Sequence, residues 1–210
     1  LEEFMEKKLI YTLVSVIGIT LIVITGLLMK GKSKALDEYN AIDTLKEIKA
    51  YKSNITIEVI NDRESNQYQG VQTYKKGIGY RLDLNDNRSF IFKGDEILIK
   101  DNDNTKEYTL NKEFDEVFKY GFIGEYIGLI YTNEELEFET ETINSNEYLM
   151  ITTLIPGSNN NIYKGTLYYD IKNYVPKKII IYDNKGRERV IYTYENFNWT
   201  DKVENVELDL

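Results

Sequence analysis

The sequence contains neither cysteine nor histidine. Without thiols there are no disulfides, no thiolate metal sites, no thiol nucleophile and no lipobox for lipid attachment. Without imidazole, a Ser-His-Asp triad, His-ligated zinc and the commonest general base are all excluded. Positive charge is also in short supply. Lys plus Arg is 26 and Asp plus Glu is 35 over 210 residues, a formal net charge of −9. That balance argues against nucleic-acid binding, which needs a cationic footprint. Proline occurs twice and alanine three times, against 26 Ile, 18 Tyr and 20 Asn. Ile and Tyr favour strands and Asn favours turns. No cofactor and no enzymatic activity are expected from this inventory.

One long apolar run stands out. Leu9 to Met29 is 21 residues without a charge. At about 1.5 Å per residue, a helix of this length crosses roughly 30 Å of hydrocarbon. The run is longer than the h-region of a cleaved signal peptide. It therefore predicts an uncleaved transmembrane anchor over 9–29, which includes Leu9, Ile10, Val14, Ile17, Leu21, Ile24 and Leu28. Residues 1–8 form a short tail and 30–34 a polar linker. Lys7 and Lys8 precede the run, and Lys30, Lys32 and Lys34 follow it, so the lysines do not decide orientation. The start resembles a signal anchor. The expectation is a single-pass protein of the cell membrane with its C-terminal domain on the extracytoplasmic side.

Residues 35–210 read as one domain. From Ala35 to Tyr51 the apolar residues Leu36, Tyr39, Ile42, Leu45, Ile48 and Tyr51 are spaced by three, which predicts an amphipathic helix. From Asn54 the period changes to two. Ile55, Ile57 and Val59 alternate with Thr56 and Glu58, and similar short runs recur to Asn198. Asn, Asp and Gly clusters separate them, as at Asn85-Asp86-Asn87 and Asp183-Asn184-Lys185-Gly186. About eleven strands are predicted, in antiparallel meanders. Glu113 to Tyr131 interrupts them with a second helical pattern, loosened by Gly121, Gly124 and Gly128, which reads as one helix or two short ones. The fold class is α+β, one large curved antiparallel sheet covered by helices. A tight cover makes the interior plain core, and a loose one makes it a cavity for an apolar ligand. On the second reading Phe114, Phe118, Phe122, Tyr126 and Ile127 form a lid or line the cavity.

Glu135, Glu137, Glu139 and Glu141 sit two apart and line one face of a strand, with Leu136, Phe138 and Thr140 on the other. The acidic face is either solvated, a docking surface for a basic partner or a weak divalent-ion site. Asp83, Asn85 and Asn87 imitate the start of a calcium loop. Arg88 then stands where the loop needs Gly, and Gly94 where it needs Glu, so an EF-hand is excluded.

The last third carries a resemblance. Leu167-Tyr168-Tyr169-Asp170 is followed by Val175-Pro176-Lys177-Lys178, Ile181-Tyr182-Asp183, Gly186-Arg187 and Tyr192-Thr193-Tyr194-Glu195-Asn196-Phe197. Tyr80-Arg81, the Phe122 to Tyr126 segment and Ile155-Pro156-Gly157 join the pattern. This succession resembles the LolA-like lipoprotein-carrier superfamily, and within it the clostridial GerS-type spore germination proteins. The resemblance implies a half-open barrel closed by helices. It further implies a non-enzymatic partner that supports a zinc-dependent cell-wall amidase in spore cortex modification, the domain facing the space between the forespore membranes. The alternative it implies is a carrier or sensor of lipid. GerS-type proteins are lipoproteins, whereas this chain lacks the Cys and offers a protein anchor instead. The oligomeric state is left open.

Overall fold

In a computed structural model the described residues are 18–20, 24, 40–101, 103–115, 117–133, 135–200 and 208. The chain divides into two compact units, Leu1–Asn40 and Ala41–Leu210. In the first, residues 18–20 and 24 are helical and exposed. The other anchor residues, Leu9, Ile10, Val14, Ile17, Leu21 and Leu28, lie outside the described residues, as do the tail and the linker. Among the described residues no helix is long and apolar enough to cross a membrane.

The second unit opens with a helical segment, α1, at residues 41–46. Six strands follow: β1 (Ala50–Ile60), β2 (Ser65–Lys75), β3 (Gly79–Leu84), β4 (Arg88–Lys93), β5 (Glu96–Asp101) and β6 (Lys106–Asn111). Two 3-10 turns, Lys112–Phe114 and Lys119–Gly121, lead into helix α2 (Ile123–Thr132). Five more strands complete the unit: β7 (Leu136–Ile143), β8 (Asn146–Leu154), β9 (Lys164–Asp170), β10 (Val175–Tyr182) and β11 (Glu188–Trp199). All eleven form one antiparallel sheet in the order β6-β5-β4-β3-β2-β1-β11-β10-β9-β8-β7. Two meanders are thus joined at the centre, where the first strand pairs with the last.

The predicted helix over 35–51 ends earlier than expected. Ala50 already pairs with Lys75, and Tyr51 with Tyr74 and Trp199. Tyr51 fits a spacing of three from Ile48, but it also heads the period-two series Tyr51, Ser53, Ile55 and Ile57, all buried on one face. Two neighbouring strands satisfy its backbone, and the strand wins. Proline finds its tolerated place as well: Pro176 sits at a register shift in β10, before the pairing with β11 begins at Lys178.

The sheet is strongly curved. Phe122, at the N-cap of α2, packs on Phe92 of β4 at 4.8 Å between ring centroids. Tyr126, one turn later, donates its hydroxyl proton to the Ile151 carbonyl of β8 at 3.0 Å. β4 and β8 are seven strand steps apart in the sheet order. A flat sheet would separate them by about 34 Å at about 4.8 Å per step. Side chains one helical turn apart reach both only because the sheet curls around α2. The outcome is the helix-covered half-barrel that the LolA-like resemblance implied. Rings contact one another across its concave side from Phe197 to Tyr51 (4.7 Å), Tyr74 (5.4 Å), Tyr80 (4.7 Å) and Phe122 (4.6 Å), the first and third pairs stacked and the others tilted.

The β10–β11 turn closes on a buried charge. The Asp183 side chain is 1% exposed and meets Arg187 at 2.8 Å and Arg189 at 3.0 Å. Burial alone would raise its pKa. The backbone N–H groups of Arg187 and Lys185 and the two guanidinium groups outweigh that and hold it well below the usual carboxylate range. Arg189 also reaches Asp62 of the β1–β2 turn at 2.8 Å, tying the two hairpin ends together.

Candidate functional site

Alternation in β7 sends Glu137, Glu139 and Glu141 outward, and all three are exposed, as is Glu135 just before the strand. Spacing of two residues puts successive carboxylates roughly 6.6 Å apart along the edge. Among the described residues no salt bridge engages them. The pairing register extends this stripe across the convex face: Glu139 lies beside Met150, then Tyr168, Lys178 and Thr193. The Lys178 ammonium stands 4.2 Å from the centre of the Tyr168 ring. Burial, followed by the Glu141 carboxylate, raises the pKa of the Tyr168 phenol. Burial likewise pushes Tyr182 up to about 12. The Tyr168 and Tyr182 phenols therefore stay neutral at physiological pH. The face combines an acidic edge with a semi-apolar middle.

On the opposite face, the segment read as a lid is pinned to the sheet. Tyr194 donates to the Gly121 carbonyl at 2.6 Å, and the Gln72 amide donates to the same oxygen at 3.0 Å. Tyr51 donates to Gln72 Oε1 at 2.6 Å and accepts the Ile123 N–H at 3.3 Å. Tyr192 donates to the Val117 carbonyl. Burial drives the phenol pKa values of Tyr51, Tyr192 and Tyr194 well above the ordinary range, so these hydroxyls remain protonated donors. Phe122 and Tyr126 are fully buried, and Phe118 is half-buried against Phe90 at 5.0 Å and Tyr68 at 5.7 Å. Phe114 belongs to the first 3-10 turn. The structure thus gathers Phe118, Phe122 and Tyr126 onto the concave face, while Ile127 turns toward a groove.

That groove, of about 430 Å³, runs between α1 and α2. Leu45, Ile48, Tyr80 and Ile127 supply apolar wall, and Lys46 and Lys76 supply positive charge. The Lys46 ammonium lies 4.7 Å from the Tyr131 ring centre. α2 approaches Tyr80 closely at Gly124, where a Cβ would come 2.1 Å from the phenol oxygen. The acidic stripe was legible as a period-two series. The groove was not, because its walls come from segments some eighty residues apart in the chain.

A family profile described as sporulation protein YdcC-like matches residues 6–208. The chain belongs to this family. The match takes in the apolar run at 9–29 as well as the sheet. No curated protein matches the chain. Among solved structures, an uncharacterized conserved protein from Thermus thermophilus superposes with a TM-score of 0.55 at 9% identity, covering 81% of this chain and 91% of that one. It shares the fold. A chain in the structure of the CwlD amidase from Clostridioides difficile in complex with the GerS lipoprotein is 23% identical, with a TM-score of 0.48, covering 80% and 96%. The LolA superfamily protein NE2245 from Nitrosomonas europaea is 12% identical, with a TM-score of 0.42, covering 82% and 97%.

Proposed function

We propose that this YdcC-like chain is a membrane-anchored, non-enzymatic binding partner of a cell-envelope enzyme, a cell-wall amidase that modifies spore cortex before germination. The observation that carries the reading is membership in a sporulation family over residues 6–208, a span that includes the apolar run. A single-pass anchor at 9–29 keeps the domain at the membrane, on the extracytoplasmic side and, in a sporulating cell, between the forespore membranes. Tethering raises the effective concentration of the domain toward anything working at that surface. The partner amidase supplies the zinc chemistry. We assign the contact to the convex face of β7, with Glu135, Glu137, Glu139 and Glu141 meeting basic side chains.

The groove between α1 and α2 favours a second reading, a carrier or sensor of lipid or another apolar ligand. Its walls are apolar and its two lysines suit an anionic head group. A permanent anchor weighs against a shuttle between membranes.

Native mass spectrometry of the full chain, recovered by affinity from sporulating host cells, separates the two. A stoichiometric amidase that is lost from the Glu137→Lys, Glu139→Lys double variant supports the partner reading. A bound lipid without a protein companion overturns it in favour of the carrier. The bare chain overturns both.

A further inference from the structure

A second cleft lies on the other side of α1, where β1 begins, β11 ends and the β9–β10 turn comes across. It measures about 360 Å³, within the small-ligand range of about 300–1,000 Å³. Its walls are held by hydrogen bonds. The Thr200 N–H donates to the Ala50 carbonyl at 3.2 Å, joining the end of β11 to the start of β1. Asp170 accepts the Lys172 and Asn173 N–H groups at 3.0 and 2.9 Å and the Asn173 amide at 2.7 Å, which pins the turn.

Two aromatic rings line this cleft. Trp199 is the only tryptophan in the chain. Its indole N–H donates to the Tyr174 carbonyl at 3.1 Å, and its ring meets Phe197 at 4.6 Å and 66°. With its polar edge satisfied and a neighbouring ring against it, Trp199 is held in one orientation. Tyr174 is 48% exposed, and its φ of 56° is left-handed, a conformation costly for a bulky residue. The strained backbone turns the carbonyl toward Trp199 while the Tyr174 ring stays in solvent. Among the described residues that ring is no part of the hydrophobic core.

We propose that this cleft is a binding subsite for a glycan strand of N-acetylated hexosamines. Aromatic faces receive the C–H face of a pyranose, and an amphipathic ring with a fixed orientation does so at little conformational cost. Glu47 adds a carboxylate that can accept from sugar hydroxyls and an acetamido N–H, and the Asn173 side-chain oxygen, its NH2 spent on Asp170, adds an acceptor. Among the described residues, Glu47 and Lys49 are the charged groups of the lining and cancel, so the cleft suits a neutral sugar rather than a phosphate or a nucleotide. The preference for a neutral sugar follows from the lining alone. The choice of an N-acetylated strand rests on the cell-wall reading above. Such a subsite would hold the domain on the polymer that a partner enzyme processes.

Trp199 makes the test direct, since it is the chain's sole indole fluorophore. The full chain in a non-glycosidic detergent is titrated with the N-acetylglucosamine tetramer and with cellotetraose, which has no acetamido groups. Saturable quenching or a spectral shift is expected, with at least fivefold preference for the N-acetylated tetramer. Tyr174→Gly removes the ring and relieves the left-handed strain, so it folds at least as well as the parent. It should weaken binding at least tenfold. Calorimetric titration of Trp199→Phe, which keeps a ring but lacks the reporter, should show reduced but measurable heat. Equal affinity for the two tetramers overturns the N-acetyl assignment. No response to either, or a Tyr174→Gly variant that binds like the parent, overturns the subsite. Amidase capture by the same Tyr174→Gly chain is read separately, so failure here and failure of the partner reading give different patterns.

Discussion

The two faces of the one sheet are built from the same strands and have little else in common. On the concave face, Tyr51, Tyr126, Tyr192 and Tyr194 are buried, and their hydroxyls are spent on Gln72 or on backbone carbonyls. On the convex face, Glu137, Glu139 and Glu141 stand exposed at the edge, and Tyr168 packs under a lysine. Period two is what makes this division possible, because each strand sends alternate residues to opposite sides. The concave face holds the fold together and pins the 117–123 segment. The convex face carries the exposed carboxylates of β7 and is where the proposed contact would lie. Substitutions on the two faces should therefore separate cleanly into those that unfold the chain and those that change what it binds.

The largest effect is expected from Phe122→Ala. Phe122 is fully buried and touches Tyr80 at 4.6 Å and Phe92 at 4.8 Å. Truncation leaves a cavity between α2 and the first meander and should cost about 3–5 kcal/mol, read as a lower midpoint in denaturant. Gly165→Ala comes next. A Cβ there would lie 2.8 Å from the Tyr126 ring and 3.2 Å from Ile181. The Tyr126 ring is held by its bond to the Ile151 carbonyl and cannot swing away. The expected cost is about 1–3 kcal/mol from overpacking. A midpoint unchanged by either substitution would mean that the concave face is not the stabilising one.

An acid titration probes the end of the sheet, which belongs to neither face. The Asp183 carboxyl has its pKa depressed in the folded state, against an ordinary value of about 3.9 in the unfolded chain. A depressed acid contributes stability that is fully present above the unfolded value. That contribution is lost as pH falls through the folded one. Asp62, lowered by its bond to Arg189 and by the nearby Arg187, acts in the same direction. The unfolding midpoint should thus fall progressively below about pH 4. Asp183→Asn should be less stable at neutral pH and show a shallower acid slope. Parallel pH profiles for the two proteins would remove Asp183 from the account.

Much of this division was legible in the sequence, and the exceptions have physical causes. The strands were visible because alternation and Asn/Asp/Gly turns are local signals. Tyr51 is ambiguous in sequence because a spacing of three from Ile48 fits a helix as well as its place in β1 fits a strand. The pairing of β1 with β11 had no local signal, since it joins residues such as Ile55 and Tyr194 from opposite ends of the domain. Of the candidate site, the acidic stripe needed only one strand and could be read. The groove of Leu45, Tyr80 and Ile127 and the cleft of Tyr174 and Trp199 needed the closed sheet. The Asp183 turn was legible as a turn, while its buried pairing with Arg189 and the link to Asp62 were not.

The smallest effect on stability is expected from the convex face, and it is the most informative about function. Glu139 is exposed and, among the described residues, engaged in no salt bridge. Glu139→Lys should change stability by no more than about 0.5 kcal/mol, the usual range for such a surface position. Reversing one charge in the middle of an acidic stripe nevertheless sets a lysine against the basic groups of a docked partner. Like charges at a contact slow association and add to its salt dependence. Amidase capture by the full chain should therefore weaken with Glu139→Lys and recover in part with Glu139→Gln, while both variants melt like the parent. Capture that is indifferent to the charge at 139, in a chain that still binds amidase, would move the contact to another surface. A large loss of stability would mean that the convex face is no freer than the concave one, and the contrast between them would fail.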